Sequence, residues 1–265
     1  MENNDNKKAV HSFISSAPRS RIKNVIAVIS GKGGVGKSFT SSYLAVLLKR
    51  KGFKVGILDA DITGPSIPFA FSVNGPVYSD SDRYFYPIKS KTGIEIMSSN
   101  LLLNNPNDPL VWRGPMISTL IEQFYTEVIW DVDYLIIDLA PGTSDISLTV
   151  FQKIKLSLAV LVSTPQELVN MVVEKSAKMC SLLDVPLISL IENMSYVICP
   201  DCKRRIDIYG KREDDLAKKF NIPNLEEIPF DNDIATYIDN GRIEDLQKDY
   251  LKDTVETIIS STKDE

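Results

Sequence analysis

The segment that most restricts this chain is Gly31-Lys32-Gly33-Gly34-Val35-Gly36-Lys37-Ser38, set directly after the apolar run Val25-Ile26-Ala27-Val28-Ile29. It fits G-x-x-x-x-G-K-[ST] at a strand-to-helix junction, the spacing of a phosphate cradle. Glycines let the backbone curl so that successive N–H groups face one concavity. The helix that follows adds unpaired N–H donors and the positive end of its dipole. Lys37 can reach the β and γ phosphates, and Ser38 offers a hydroxyl to Mg²⁺. The same stretch also satisfies G-x-G-x-x-G through Gly31, Gly33 and Gly36, with Asp59 as the ribose-binding acid of a dinucleotide site. The Lys37-Ser38 pair decides for a nucleoside triphosphate, because a dinucleotide site has no use for it.

Such a loop needs a sheet to sit on, and the rest of the chain supplies one. Short β-branched runs recur at 25–29, 55–58, 134–137, 158–162 and 187–191. Helix-length stretches lie between them at 37–51, 115–128, 146–153 and 166–183. Continuous apolar runs suit strands buried on both faces. Their alternation with helices predicts an α/β fold, a mostly parallel doubly wound sheet with helices on both faces. Ligands on such sheets bind beyond the carboxyl ends of the strands. Residues 1–22 read as a flexible polar arm, holding the single histidine, His11, as a solvated side chain. Residues 23–265 read as one domain, with an elaborated excursion at 64–107 and a cysteine segment at 196–209. The stretch from 244 to 265 reads as helical, with Leu246, Tyr250, Val255, Ile258 and Ile259 available for packing.

The loops after the strands carry the remaining candidates. Leu135-Ile136-Ile137-Asp138 buries a strand and ends on an acid, the place where a phosphate loop needs a carboxylate near Mg²⁺. The turn Ala140-Pro141-Gly142-Thr143 is stiff enough to sense a γ-phosphate. Asp59 and Asp61 follow the second strand, where they can flank the metal or orient an attacking water. Asn193 lies beyond the last strong strand, where an amide can read an adenine edge.

Charge and cysteines narrow the function classes. With 30 Lys+Arg against 35 Asp+Glu the chain carries −5, which opposes a protein that grips nucleic acid or an anionic membrane through a broad basic face. The 244–265 stretch has seven acids and three bases, the wrong balance for a membrane-surface helix. Met1-Glu2-Asn3-Asn4-Asp5 lacks the basic and apolar regions of a secretory signal, and three cysteines cannot close a disulfide framework, so a reducing cytoplasmic home is expected. Cys180 sits in a helical stretch and reads as a small core residue. Cys199-Pro200-Asp201-Cys202 reads as a redox pair, half of a zinc knuckle or half of an iron–sulfur site. A two-fold dimer of such pairs makes four thiolates.

These residues together carry a resemblance. The loop with two lysines, Lys32 and Lys37, looks like the deviant Walker A of the MinD/ParA class of P-loop ATPases. Within that class the chain resembles the Mrp/Nbp-type iron–sulfur cluster carriers. The matching segments are Asp59-Ala60-Asp61-Ile62-Thr63-Gly64-Pro65-Ser66, Trp112-Arg113-Gly114-Pro115-Met116, 133–138, Ser163-Thr164-Pro165-Gln166, and Glu192-Asn193-Met194-Ser195-Tyr196 followed by Cys199-Pro200-Asp201-Cys202. The resemblance implies an ATP-hydrolysing homodimer that bridges a [4Fe-4S] cluster between protomers through Cys199 and Cys202, takes it from a donor and passes it to apoproteins. It implies that Lys32 reaches the partner's nucleotide, that Asp61 positions the water and that Asn193 contacts adenine. Asp138, Asp59 and Ser38 would act at Mg²⁺, with Gly31 through Phe39 lining the nucleotide. Ala140 stands where relatives carry a second Pro, and Phe39 where they carry Thr or Ser. A bridging zinc at the same cysteines, or a positioning or partitioning ATPase acting on membrane or DNA, are the alternatives.

Overall fold

The computed structural model of the chain describes residues 12–62, 64–103, 114–165, 167–209 and 216–263. His11, Thr63, Trp112, Arg113 and Gln166 lie outside them, as do 1–10 of the arm and the last residues of the 64–107 excursion. The chain order is β1 (Arg21–Ser30), α1 (Lys37–Arg50), β2 (Val55–Ala60) and α2 (Ile67–Ala70). The excursion contributes β3 (Tyr78–Ser79), β4 (Phe85–Tyr86), β5 (Ile88–Lys89) and β6 (Glu95–Ser98). Then come α3 (Gly114–Thr126), β7 (Asp131–Leu139), α4 (Asp145–Lys153), β8 (Leu158–Ser163), α5 (Glu167–Leu182) and β9 (Leu187–Glu192). A hairpin of β10 (Tyr196–Ile198) and β11 (Arg205–Asp207) precedes α6 (Leu216–Lys219), β12 (Asn224–Glu227), α7 (Asn232–Asp239) and α8 (Lys252–Ser261).

Eight strands make the central sheet in the order β12-β9-β8-β1-β7-β2-β6-β5. Every pairing is parallel except β5 with β6 at one edge. The period-2 alternation of a strand divides its side chains between the two faces. Val25, Ala27 and Ile29 of β1, with Leu135 and Ile137 of β7, meet Ile121 and Phe124 of α3, Val150 and Phe151 of α4 and Val173 and Cys180 of α5. Ile26 and Val28, with Ile136 of β7, meet Tyr43, Leu44 and Leu48 of α1 and Val255 and Ile258 of α8. Helices therefore cover both faces, as the sequence pattern predicts. Each of these large side chains contributes about 1.5–3 kcal/mol by leaving water, so the strand ends that carry the site are held on a stiff base.

Two segments differ from expectation, for identifiable reasons. Residues 12–20, read as part of a mobile arm, are tied to the body. The Ile14 N–H donates to the Lys153 carbonyl at 2.8 Å, and Ala17 is buried. The Ser20 hydroxyl donates to the Val128 carbonyl and accepts the Trp130 N–H, both at 3.0 Å. β1 then starts at Arg21, inside the span assigned to the arm. At the other end, α-helix occupies 252–261, a 3₁₀ turn spans Ile243–Asp245, and the residues between them are not helical. Tyr43 Oη donates to the carbonyls of Leu246 and Lys248 at 3.3 and 2.7 Å, and Arg50 donates to those of Glu244 and Leu246 at 2.8 Å. Carbonyls engaged by α1 side chains are not available to a helical ladder. Leu251 at φ 63 marks the start of α8.

Candidate functional site

The phosphate loop leaves β1 at the centre of the sheet and enters α1 with no side-chain cap at its N-terminus and no acid in its first turn. Its first-turn N–H groups are therefore the orphan donors that an anion satisfies. Gly34 and Gly36 hold φ 78 and 85, a backbone that residues with a Cβ rarely adopt. Lys32 is exposed on the loop and Lys37 is buried beneath it. Phe39 turns its ring into the core, stacked on Tyr43 with centroids 5.7 Å apart. Its offer to a nucleotide is therefore the main-chain N–H in the first turn of α1.

The carboxylates arrive from the neighbouring strands. Register pairs Val28 with Asp138 and Asp59, in turn, with Asp138 and with Ser98, so these residues lie in one row across β1, β7, β2 and β6. Asp138 is wholly buried and accepts three hydrogen bonds, each of 2.7 Å, from Lys37 Nζ, Ser38 Oγ and Ser41 Oγ. Asp59 accepts from Ser98 Oγ at 3.2 Å, and from the main-chain N–H groups of Asp61 and Ile67 at 3.2 and 3.4 Å. Burial pushes the Asp59 carboxyl up to about 8; the charge of Asp138 adds to the rise and Lys37 opposes it. Asp61 is half-buried at the mouth of this row. The Gly142 N–H donates to the Ser30 carbonyl at 2.7 Å, which ties the turn after β7 to the foot of the loop.

Ser41 and Ser98 were not among the residues singled out from the sequence. Ser41 was findable, since it follows Lys37 by four and shares its helix face. Ser98 was not, because only the pairing of β6 with β2 brings it to Asp59.

Asn193 is nearly buried, and its Nδ2–H donates to the Val35 carbonyl at 2.9 Å. A Cβ on Gly36 would come within 2.0 Å of that nitrogen. The amide therefore rests on the phosphate loop itself, a contact that the sequence did not suggest.

Cys199 follows β10 directly, and Cys202 lies in the turn to β11. The Cys199 N–H donates to the Arg204 carbonyl at 2.9 Å and the Lys203 N–H to the Cys199 carbonyl at 3.0 Å. Lys203 takes φ 58 to close the turn. Backbone hydrogen bonding from Cys202 and Asp201, with a contribution from the Cys202 side chain, holds the Cys199 thiol below its ordinary range. Cys199 is half-buried and Cys202 exposed, whereas the Cys180 thiol is buried and pushed up to about 12. Arg205 steadies the hairpin, 4.0 Å above the Tyr196 ring and paired with Glu227 at 2.8 Å. Among the described residues no group of three or more His, Cys, Asp or Glu is gathered to hold a metal ion. The two hairpin thiols could supply half of a four-ligand set.

A phosphate loop and a row of buried acids on one sheet, with a C-x-x-C hairpin forming a small sheet of its own, invite comparison with known proteins. A family model for the NUBPL iron-transfer P-loop NTPases, in the ParA group, matches residues 21–262. The chain belongs to this family. It is similar to the iron–sulfur cluster carrier protein of Clostridium perfringens, with 42% identity over 233 residues, 84% of this chain and 82% of that protein. Among solved structures it is similar to the nucleotide-binding protein of Archaeoglobus fulgidus in complex with ADP, at TM-score 0.78 and 41% identity, covering 87% of this chain and 91% of that one. The cell division ATPase MinD of Pyrococcus furiosus, at TM-score 0.64 and 17% identity, covers 90% and 99% respectively and shares the fold. This NUBPL-family chain is thus a nucleotide-binding P-loop protein with the MinD/ParA fold.

Proposed function

We propose that the protein binds and hydrolyses ATP and carries a [4Fe-4S] cluster, held between two copies of the chain by Cys199 and Cys202 of each, for delivery to apoproteins in the cytoplasm. The observation that carries this reading is the hairpin: two accessible thiols, one with its thiolate favoured by two backbone N–H groups, on a chain that offers no third or fourth ligand among its described residues. Thiolates are the ligands such clusters take. A symmetric pair of hairpins completes the set without any new residue. The exposed Ile198 and Ile206 beside the cysteines suit a face that closes against its own copy.

The acid row fits Mg²⁺. Two buried carboxylates face one buried ammonium, so one negative charge needs a proton or a cation. Asp59 holds a proton up to about pH 8, and a divalent ion would take that proton's place. Ser38 and Asp138, and Asp59 behind them, would hold the ion; bound there, it would draw charge from the β and γ phosphates. Lys37 would exchange Asp138 for those phosphates, and Gly31 through Phe39 would wrap them with main-chain N–H groups. Asp61 would orient the attacking water, and Lys32 would reach the nucleotide of the partner copy. With its Nδ2 engaged on Val35, Asn193 would present its Oδ1 to the adenine amino group.

Anaerobic reconstitution with ferrous iron and sulfide tests this. About four irons and four sulfides per pair of chains are expected, falling to background in Cys199→Ala and Cys202→Ala, and transfer to an apo-acceptor should need Lys37. Equal iron uptake by the parent and the cysteine variants would sink the proposal. Zinc recovered from protein purified without oxygen, with no iron uptake, would favour a bridging zinc in its place.

A further inference from the structure

Only six residues, 193–198, separate the end of β9 from Cys199. Both ends of this short segment are anchored. At its start the Asn193 N–H donates to the Ser163 carbonyl at 2.8 Å, and the Asn193 side chain is clamped on the Val35 carbonyl and over Gly36. Further on, Ile228 brackets the turn: its N–H donates to the Glu192 carbonyl at 2.9 Å, and its carbonyl accepts the Ser195 N–H at 3.0 Å. The Phe230 N–H donates to the Tyr196 carbonyl at 2.7 Å. Between these staples Met194 holds φ 55, a conformation that persists in a non-glycine residue only where the surroundings over-determine it. Tyr196 then opens β10, which runs straight into Cys199.

A phosphate recruits the N–H groups of the loop and the first turn of α1, and the Val35–Gly36 peptide is among those that must orient toward it. That peptide is the one Asn193 grips. A turn this short, stapled on both sides and already strained, has few torsions with which to absorb a displacement of the Asn193 amide. The displacement passes to β10 and the turn that holds the thiols.

We propose that Asn193 is a positioning residue that couples the phosphate loop to the cysteine hairpin, so that nucleotide occupancy is felt at Cys199 and Cys202. This deepens the carrier reading, since it supposes that nucleotide and thiols serve one cycle. Its test nevertheless needs no cluster. Metal-free protein is alkylated with iodoacetamide, with and without saturating Mg-ADP or Mg-ATP, and the rates at Cys199 and Cys202 are read by peptide mass spectrometry. In the parent, nucleotide should change the Cys199 rate by about fivefold or more, the lower end of ordinary coupling between sites. In Asn193→Ala, and in the isosteric Asn193→Asp that cannot donate to Val35, that ratio should collapse toward one at nucleotide concentrations shown to saturate by fluorescent-analogue binding. No nucleotide effect in the parent overturns the proposal, and so does an effect that survives in either saturated variant. Hydrogen exchange of residues 196–207 in the parent, with and without nucleotide, gives a second reading that needs no variant; an unchanged hairpin also overturns it. Failed iron uptake with intact thiol coupling would reject the carrier reading and leave the coupling standing.

Discussion

Gly34 and Gly36 both hold left-handed backbone, at φ 78 and 85, yet their surroundings differ. A Cβ on Gly34 would meet nothing within 4 Å, whereas one on Gly36 would fall 2.0 Å from Asn193 Nδ2. Substituting alanine at each separates the cost of the backbone from the cost of the contact. For Gly34→Ala the left-handed conformation costs about 1–2 kcal/mol, partly offset by about 0.4–1 kcal/mol from a stiffer unfolded chain. Gly36→Ala carries the same pair of contributions and must also drive Asn193 off the Val35 carbonyl. Losing that bond, with buried polar groups left unsatisfied, adds about 1–3 kcal/mol. Urea denaturation of the nucleotide-free protein should therefore place Gly36→Ala below Gly34→Ala by about that excess. In an Asn193→Ala background the amide is gone, so the penalty specific to Gly36 should shrink toward that of Gly34. The reasoning is refuted if the two alanine variants agree within about 0.5 kcal/mol, the ordinary scatter of additivity, or if removing Asn193 leaves the excess intact.

Further expectations follow from single contacts. Asp138→Asn strips the hydrogen-bonded partner from the Lys37 ammonium and leaves Asp59, freed of the neighbouring charge, to ionise and answer it, so the loss by denaturant titration should fall short of the about 3–5 kcal/mol of a wholly unpaired buried charge; a change under about 1 kcal/mol would contradict the pairing. Because burial raises Asp59 to about 8, the folded state binds more protons than the unfolded one from near pH 4 up to about 8. Stability should therefore fall as pH rises through that window and level off above it, and the slope should flatten in Asp59→Asn; equal slopes would refute the assignment. Alkylation of Cys199 should reach half its maximal rate below the ordinary thiol range near pH 8.5, while Cys180 stays unmodified until the protein unfolds. Arg205→Ala removes the guanidinium from Tyr196 and Glu227. It should speed hydrogen exchange in the hairpin with a global stability change within about 1 kcal/mol, since the pair is solvent-exposed.

What was legible in the sequence was whatever has a local cause. The five β-branched runs became β1, β2, β7, β8 and β9 because continuous apolarity is itself the signature of a strand buried on both faces. The glycine spacing and Lys37-Ser38 fixed the loop for the same reason. Asp138 and Asp59 were findable as acids at strand ends. That they share one buried ammonium depends on β7 inserting between β1 and β2, which no spacing reveals. The edge strand β12, Asn224-Leu225-Glu226-Glu227, has too little hydrophobic patterning to announce itself and exists by pairing with β9. Residues 244–251 have helix-like composition but give their carbonyls to Tyr43 and Arg50, a tertiary override of local preference. Its place after β9 suggests an adenine edge for Asn193, whereas its grip on the Val35 carbonyl comes from tertiary packing of that strand end against the loop, which local sequence does not encode.

The fold is shared with MinD at TM-score 0.64, so the architecture does not choose between a cluster carrier and an ATPase that rides on a membrane or DNA. The choice rests on surfaces. A membrane-riding protein of this build would need an amphipathic segment with apolar residues to spare and a basic polar face. Among the described residues, α8 does not offer such a face: Val255, Ile258 and Ile259 are buried against the sheet and α1, and Thr254 is engaged by Glu226. Freeing that face to meet lipid would first expose three core side chains, at about 1.5–3 kcal/mol each, before any attraction to anionic headgroups is gained. With the chain at −5, that attraction is weak from the outset. Cosedimentation with anionic vesicles or with duplex DNA at low salt should therefore show no ATP-dependent pelleting. Strong pelleting that requires ATP and survives in Cys199→Ala would return the positioning reading and displace the carrier.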